Sequence, residues 1–425
     1  MNNFFKKYFK GDQVIWTLYI FLCFASALIM YSASSYHVHR TNAAHWVPVM
    51  KHIAYLIMGF GFAWLIHYLP IRGIRMLGYV VYALFFICLC LMMFTPLGKE
   101  INGALRWLDL KVVPTFQPSE GIKLGLVLVV ADLLSRVGRL KDNKVYWLCV
   151  MMIFVPCIII FPSNFSTVAL LLVVMFVMLF LSEIDKKWLR GIVPILLGIS
   201  LCVGGYFLVK ATPAEQIPDW AQRVVTWVNR WDRYQEDKHV EETDAELLND
   251  FNRQITHGKI AIARGGFFGV GAGNSLMRDY VSLAFADSIF TIIVEEFGLF
   301  GGVLLIVVYM TLFFRAGRIA IKSDCMFTSL AVIGITLMMI LQVLVNIAVV
   351  VKMIPVTGQG LPFIGHGGTS AIIMSWNMGI LLALSRSIEP NEKEEPKGNV
   401  LEVTEEGFEE VSLDEEVDDD FMGKP

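Results

Sequence analysis

The sequence predicts an all-α polytopic membrane protein with ten transmembrane helices, both termini in the cytoplasm and a large extracytoplasmic loop between spans seven and eight. The first observation behind this prediction is composition, because 56% of the 425 residues are hydrophobic and only 17% are charged. The second is that apolar runs long enough to cross a bilayer recur along the chain. A soluble globular domain carries about 25% charged residues, so the composition excludes that class.

The membrane-spanning body covers residues 14–388, and its spans can be assigned in order. About 20 apolar residues are needed to cross a hydrocarbon core of about 30 Å. The fourth run is polar for a span, which predicts partial burial within the bundle, and the fifth and sixth are joined by a tight hairpin at residues 162–164. The runs are 14–34, 50–69, 76–95, 119–135, 146–161, 165–182, 192–209, 286–314, 325–350 and 367–386.

The distribution of Lys and Arg between the spans predicts the orientation. If residues 1–13 form a cytoplasmic N-terminus, the inside segments hold 15 basic residues and the short outside segments hold five. Residues 210–285 then form the large extracytoplasmic loop. Residues 389–425 form a cytoplasmic tail that holds 15 of the 38 acidic residues and few aromatic ones, a composition typical of disorder.

Two sequence patterns that indicate disulfide, metal or dinucleotide sites in other proteins do not indicate such sites here. All seven cysteines lie in or beside apolar runs and none forms a CxxC pair, so we expect no disulfide or metal framework. The glycine-rich stretch at residues 265–273 has the spacing of a dinucleotide-binding loop, but no strand precedes it and no βαβ unit surrounds it. We interpret it as a flexible, closely packed loop above the bundle.

The entrance of the eighth span combines three carboxylates with apolar neighbours. Asp287 comes first, Glu295 and Glu296 follow, and the apolar run from Phe297 to Phe314 is roughly 27 Å long as a helix. The two glutamates are expected at the membrane edge, and Asp287 about 12 to 14 Å further out if the helix continues without a break. A carboxylate held at a membrane face is a candidate acid, base or ion ligand. The alternative is an ordinary solvated helix start with Asp287 near the N-cap.

The start of the fourth span carries a predicted ion pair. Ser119 is a plausible N-cap, and Glu120 and Lys123 are neighbours on one helix face at i,i+3 spacing. Such a pair is costly to bury in a membrane unless it is fully satisfied, which favours a functional role over the alternative of a structural pair at the interface. Arg106, which is followed by Trp107, fits a membrane-surface anchor as well as a substrate contact.

The loop before the tenth span is rich in Pro and Gly from Lys352 to Ser370. Irregular backbone at membrane depth is tolerated only where it is buried in protein or lines a cavity. We therefore predict a re-entrant element that faces such a cavity. Its candidates for substrate contact are Thr357, Gly358, Pro362, Gly367 and Gly368.

Together these segments resemble the SEDS family, the shape, elongation, division and sporulation proteins of bacteria. The resemblance covers about residues 14–386. Its most specific marks are, in chain order, Gly103-Ala104-Leu105-Arg106-Trp107, Gln117-Pro118-Ser119-Glu120 with Lys123, Asp287 with Ile289-Phe290 and Glu295-Glu296-Phe297-Gly298, and the loop from Pro355 to Ser370.

The resemblance implies a peptidoglycan glycosyltransferase that polymerises lipid II at the outer face of the bacterial cytoplasmic membrane. It also implies a class B penicillin-binding protein as partner and, for the division branch of the family, other divisome proteins and a location at the septum; nucleic acid is not an expected partner. The Asp that Asp287 matches is essential for polymerisation in the family. The implied substrate contacts are Arg106, Glu120, Lys123 and Glu296, together with the loop residues named above.

The sequence departs from the family pattern at several positions. The Glu-Ala-His-Thr that usually precedes the essential Asp is replaced by Leu283-Ala284-Phe285-Ala286, and the Pro-Asp-Leu-Gly between spans five and six by Pro162-Ser163-Asn164-Phe165-Ser166. In the last loop Gly360, Gly365 and Thr369 replace Pro, Ser and Ser. The start from Gly11 to Trp16, the 162–166 stretch and the long charged tail resemble the division branch more than the elongation branch.

The resemblance leads to a mechanistic hypothesis with open choices. Asp287 is the candidate general base for the attacking sugar hydroxyl, or a ligand of a divalent cation, Mg²⁺ or Mn²⁺, that serves it. Arg106, Lys123 or an Arg of the amphipathic stretch 218–234 would neutralise the leaving pyrophosphate, and Glu120 would orient Lys123. The alternatives are a lipid II flippase or transporter, an elongation polymerase for cell shape, and a scaffold that only recruits the penicillin-binding protein.

Overall fold

The computed structural model describes residues 8–33, 46–101, 104–111, 114–136, 142–182, 250–276, 289–351, 353–354, 357–365, 368–388, 400–404 and 407–411. Within these ranges the chain forms ten α-helices and two β-hairpins. The helices are α1 (Gln13–Ala33), α2 (Trp46–Ile66), α3 (Ile71–Phe94), α4 (Pro118–Leu134), α5 (Asp142–Ile160), α6 (Phe165–Leu181), α7 (Asp250–Gly265), α8 (Ile289–Lys322), α9 (Met326–Val350) and α10 (Gly368–Arg386). The strands are β1 (Gly98–Ile101), β2 (Ala104–Leu108), β3 (Val400–Thr404) and β4 (Gly407–Val411).

Most of the described helices are apolar enough to belong in a membrane. Helices α1, α2, α3, α8, α9 and α10 are long enough to cross one, and α5 and α6 are shorter apolar helices. The seventh predicted span, 192–209, lies outside the described residues, whereas each of the other nine contains a helix. The all-α membrane fold is therefore confirmed in its helical, apolar character, and the side of the membrane on which each terminus lies stays a prediction.

Helix α4 forms the centre of the bundle, since all 17 of its residues are buried. Glycines bring α3 into close contact with it. A Cβ at Gly125 would lie 2.6 Å from the backbone nitrogen of Tyr82, and one at Gly78 would lie 2.6 Å from the Cβ of Leu128. This confirms the prediction that the fourth span is buried, and it explains how the span can carry polar residues that lipid would not tolerate.

Helix α8 is bent at Gly298, where φ is 70° and ψ is −175°. The uninterrupted helix considered for this span is therefore not formed. A Cβ at Gly298 would lie 2.2 Å from the carbonyl oxygen of Phe267, so the loop that follows α7 packs directly against the bend. The bend separates the segment that carries Glu295 and Glu296 from the long membrane-spanning part of the helix.

The segment 357–365 is buried between the helices, as predicted for a re-entrant element. Leu361, Phe363 and Ile364 are all buried. Phe363 has a φ of 67°, which a non-glycine residue adopts only where its surroundings hold it in place. One contact that holds Phe363 in place is a hydrogen bond of 2.6 Å, which the hydroxyl of Ser26 in α1 donates to the carbonyl of Phe363.

A short hairpin lies in the acidic tail, where the sequence analysis predicts disorder. Strands β3 and β4 pair in antiparallel register, with Thr404 opposite Gly407 next to the turn. The physical reason is local, since the β-branched residues Val400, Val403 and Val411 favour extended backbone on both sides of a tight connection.

Candidate functional site

The ion pair predicted at the start of α4 is present and buried. The Nζ of Lys123 lies 2.7 Å from the Oε1 of Glu120 and 3.4 Å from the Oε1 of Gln342 in α9. The helix begins two residues earlier than predicted, because Gln117 and not Ser119 is the N-cap, and Pro118, which has no N–H to leave unpaired, occupies the first helical position.

One oxygen of this pair is left for another partner. The Oε2 of Glu120 is buried and forms no hydrogen bond with any described residue. Glu120 and Lys123 line a small cavity between α4, α9 and α10, together with Asn377 and several apolar side chains. The cavity has room for about one water molecule. A buried carboxylate oxygen beside such a space is a potential acceptor for a polar ligand or water.

Arg106 points into the protein from strand β2. Its Nε donates a hydrogen bond of 3.0 Å to the carbonyl of Ser163 in the α5–α6 connection. Its guanidinium group packs on Gly358, where a Cβ would lie 2.1 Å from Nη1. These two contacts favour a role for Arg106 at the re-entrant segment over the alternative of a membrane-surface anchor, because the β1–β2 hairpin directs this side chain toward that segment.

The amides of the re-entrant segment are held by polar side chains from two helices. Gln359 donates to the hydroxyl of Thr167 at 2.6 Å, and its carbonyl accepts from Asn346 at 2.8 Å. The carbonyl of Gly360 accepts from Gln342 at 3.0 Å. Gln342 and Asn346 of α9 thus bond to the backbone of the re-entrant segment, and Gln342 also accepts a hydrogen bond from Lys123 of α4.

Residues 358–360 thus connect the two basic side chains of the candidate site. Arg106 contacts Gly358, and Lys123 is linked to Gly360 through Gln342. Two cations held around irregular backbone, beside a carboxylate, can bind phosphate or pyrophosphate oxygens. The structure therefore brings together three of the predicted site residues, Arg106, Glu120 and Lys123, with the predicted loop.

Sequence reasoning missed Asn164 and Gln359 as members of this cluster. Asn164 caps α6 by accepting a hydrogen bond from the N–H of Thr167 at 3.2 Å, which confirms the tight hairpin predicted between spans five and six. Its side chain also lies 3.4 Å from that of Gln359. The sequence did mark Asn164, since an amide stands there where the family has a carboxylate. Only the fold reveals that this amide faces the re-entrant segment.

Three further loop candidates have different surroundings. The carbonyl of Pro362 accepts a hydrogen bond from the hydroxyl of Tyr309 in α8. The hydroxyl of Thr357 is buried without a hydrogen-bond partner among the described residues. Gly368 begins α10, and a Cβ there would lie 2.3 Å from the ring of Tyr55, so it is a close-packing position. Substrate contact at these residues stays a prediction.

Glu296 belongs to a second polar cluster, at the bend of α8. Both Glu295 and Glu296 are buried, so the alternative of a solvated helix start is wrong for these two residues, and their position at the membrane edge stays a prediction. Glu295 pairs with Arg264 of α7 at 2.9 Å. Glu296 accepts from the hydroxyl of Ser32 in α1 and from the N–H of Ser275 at 3.4 Å. The two side chains are buried because the loop after α7 folds over the bend and covers both carboxylates.

Several predicted features lie outside the described residues. These are Asp287, which is two residues before α8 begins, Gly367 and the amphipathic stretch 218–234. Among the residues that the structure does describe, no group of three or more His, Cys, Asp and Glu side chains could hold a metal ion. The presence of a divalent cation in this protein stays a prediction.

Comparison with known proteins identifies the family. The chain matches the cell cycle protein family of FtsW, RodA and SpoVE over residues 12–389. The probable peptidoglycan glycosyltransferase FtsW of Hahella chejuensis is 29% identical over 388 residues, which cover 88% of this chain and 90% of the relative. The protein of the same name from Coxiella burnetii is 27% identical over 349 residues, which cover 80% of this chain and 87% of the relative.

Solved structures share the fold. A chain from a peptidoglycan synthase complex, described as coordinating polymerization and crosslinking, has a TM-score of 0.63 at 23% identity and covers 90% of this chain and 99% of its own length. The rod shape determining protein RodA of Thermus thermophilus has a TM-score of 0.57 at 22% identity, with 90% and 98% covered. The resemblance to the SEDS family is confirmed, and the chain belongs to the FtsW, RodA and SpoVE family of cell cycle proteins.

Proposed function

We propose that this protein is a peptidoglycan glycosyltransferase that polymerises lipid II into glycan strands at the outer face of the cytoplasmic membrane, during septal wall synthesis in cell division. Membership of the family and relatives that are named FtsW peptidoglycan glycosyltransferases support this proposal. The structural observation that carries it is the convergence of Arg106, Lys123 and Glu120 on the re-entrant segment. Such a site suits a substrate that presents a pyrophosphate at the membrane.

The leaving group of the reaction is a lipid pyrophosphate, which needs positive charge as the glycosidic bond forms. Arg106 contacts Gly358 and Lys123 is linked to Gly360 through Gln342, so two cations are available near residues 358–360, and burial of Lys123 strengthens its attraction for phosphate oxygens. Glu120 holds Lys123 at 2.7 Å and so fixes the direction of its ammonium group. We assign Arg106 and Lys123 to pyrophosphate binding and Glu120 to positioning Lys123.

The nucleophile is the 4-hydroxyl of the acceptor sugar, which is weakly reactive near pH 7. A positioned general base accelerates such an attack by about 100- to 10,000-fold. Asp287 is our candidate for this base, or for the ligand of a divalent cation that lowers the pKa of the hydroxyl. The buried carboxylates that follow it in the sequence, Glu295 and Glu296, bond to α7, α1 and the loop after α7 at the bend of α8.

A crosslinking partner completes the proposed activity. The resemblance points to a class B penicillin-binding protein, and one solved structure with this fold comes from a complex described as coordinating polymerization and crosslinking. We infer that this protein forms such a complex in the bacterial cytoplasmic membrane and that other divisome proteins recruit it to the septum.

The test is glycan-chain formation from purified lipid II by the protein with its cognate penicillin-binding protein. Wild type, Asp287→Asn and the matched control Asp324→Asn, which changes a carboxylate in the α8–α9 connection, are compared with and without a chelator. We expect polymer from wild type and from Asp324→Asn only. Chelator sensitivity would assign a cation to the site. Polymerisation by Asp287→Asn at the wild-type rate, with equal thermal stability, would overturn the catalytic role of Asp287.

The division role has a separate test in cells. Depletion of this protein should give filaments that lack septa, because septal wall synthesis would stop while elongation continued. Rounded cells would instead assign the protein to elongation.

A further inference from the structure

The loop between α7 and the bend of α8 carries two phenylalanines that the proposed function does not use. Phe267 is 60% exposed and Phe268 is 80% exposed, and their rings meet edge to face with centroids 4.9 Å apart. Adjacent exposed aromatic rings at the tip of a loop are unfavourable in water, and they favour an apolar environment around this tip.

Much of the backbone of this loop is bonded to α8. Hydrocarbon requires that the backbone polar groups of a segment be satisfied internally, whereas an aqueous surface does not. Five of the N–H and carbonyl groups of residues 266–271 are satisfied within the protein, four of them by α8. They bond between Gly266 and Leu299 at 2.9 Å, Phe267 and Phe300 at 3.1 Å, Gly269 and Gly265 at 2.8 Å, Val270 and Glu295 at 2.9 Å, and Gly271 and Glu296 at 3.0 Å.

The depth of the loop can be estimated from the helix to which it is bonded. Phe267 lies at the level of Phe300, because the N–H of Phe300 donates to its carbonyl. Arg315 is the first basic residue at the far end of α8, about 22 Å from Phe300 along the helix axis. The hydrocarbon core is about 30 Å thick, so Phe300 and Phe267 lie inside it when Arg315 marks the opposite boundary. Helix tilt shortens this vertical distance and moves the loop deeper.

The exposed face of the loop also continues the exposed face of the span. Leu299, Phe300 and Val303 of α8 are about half exposed immediately after the bend, as expected for side chains that face lipid. The charge nearest the loop is neutralised, since Arg264 pairs with the buried Glu295. Among the residues that the structure describes, no unpaired charge is seen between the two phenylalanines and the lipid-facing surface of α8.

We propose that residues 266–271 form a wedge that inserts Phe267 and Phe268 among lipid acyl chains on the side of the membrane where α8 bends. The partner of this surface is the acyl-chain region of the bilayer. The wedge anchors the bend of α8 at a fixed depth, because the same loop bonds to the backbone of Glu295 and Glu296. This inference is independent of the catalytic activity.

Photocrosslinking tests the proposal on the full-length protein in nanodiscs of dioleoylphosphatidylglycerol and dioleoylphosphatidylethanolamine. The photoreactive residue p-benzoylphenylalanine replaces Phe268, and mass spectrometry measures the yield of lipid adducts after irradiation. Position 314, where Phe314 is exposed on α8, is the lipid-facing control, and position 99, where Lys99 is exposed in the β1–β2 hairpin, is the aqueous control. We expect a yield at position 268 close to that at position 314 and several-fold above that at position 99. A yield no higher than at position 99, or crosslinks between two copies of the chain, would overturn the proposal.

A second measurement needs no photochemistry. Phe268→Asp places a charge in the proposed hydrocarbon environment and should lower the thermal unfolding midpoint in nanodiscs by several degrees, as Phe314→Asp should. If the loop lies in water, Phe268→Asp removes an exposed aromatic ring and leaves the midpoint unchanged or raised, which would refute the wedge. Neither experiment measures polymerisation, so a failure here is distinct from a failure of the proposed function.

Discussion

The guanidinium group of Arg106 lies against the α-carbon of Gly358, so that a Cβ added at Gly358 would come within 2.1 Å of Nη1. Gly358 also has a φ of 67°, a conformation that side chains disfavour. Gly358→Ala should therefore displace Arg106. We expect polymerisation of lipid II to fall by about 100-fold, since displacement of a positioned group by about 1 Å can have that effect.

The matched control for this substitution is Gly317→Ala, because a Cβ at Gly317 meets no atom within 4 Å. It should leave polymerisation unchanged. Equal activity of Gly358→Ala and wild type would show that the position of Arg106 does not matter for the reaction.

The pair of Lys123 and Glu120 allows its structural and functional roles to be separated. Lys123→Met leaves a buried carboxylate unpaired and should lower the free energy of unfolding by about 3 kcal/mol. Adding Glu120→Gln removes that charge, so the double variant should recover most of this loss in thermal unfolding. Its polymerisation should stay abolished if Lys123 binds pyrophosphate. Recovery of stability and activity together would support the alternative of a purely structural pair.

The ion pair of Arg264 and Glu295 should stabilise the bend of α8. Glu295 is fully buried and Arg264 is 35% exposed, so Arg264→Gln leaves a buried charge that solvent screens only partly. We expect a loss of about 2 kcal/mol, below the value for a fully buried pair. Thermal unfolding in nanodiscs measures it, and Arg264→Lys should restore part of the loss. An unchanged midpoint for Arg264→Gln would show that the loop bonds hold the bend without this pair.

Cys325 should be the most reactive of the described cysteines. It lies just before α9 begins, and burial acts to raise its pKa, but polar contacts with Thr328 and Arg75 outweigh burial and lower the pKa below its usual value. A lower pKa means more thiolate at a given pH, so labelling by N-ethylmaleimide should be fast at pH 7.

Two variants on α3 test the origin of this reactivity. Arg75→Gln should move the pH–rate curve of Cys325 labelling to higher pH, because the cation that stabilises the thiolate is lost. The control is Arg72→Gln, which removes an exposed Arg near the start of the same helix and should leave the pH–rate curve unchanged. Identical pH–rate curves for the two variants would show that Arg75 does not stabilise the thiolate of Cys325.

The sequence by itself determined the apolar spans and the chemical types of residue at their ends. Each span could be recognised locally, because a helix in hydrocarbon satisfies its own backbone and only needs sufficient apolar length. The same local logic predicted the Glu120–Lys123 pair, since i,i+3 spacing on one helix decides that contact. It also predicted that the Pro- and Gly-rich loop would be buried, from the cost of unpaired backbone at membrane depth.

Only the tertiary structure decided which of these residues meet. Arg106 reaches Gly358 and Lys123 is linked to Gly360 across more than 200 positions of sequence, contacts that depend on how the β1–β2 hairpin, α4 and α9 pack. The bend at Gly298 had the same origin, because its helix is interrupted by backbone bonds from a loop about 30 residues earlier. Hydrophobic length is a property of one segment, whereas a bend or a binding site is a property of the segments that surround it.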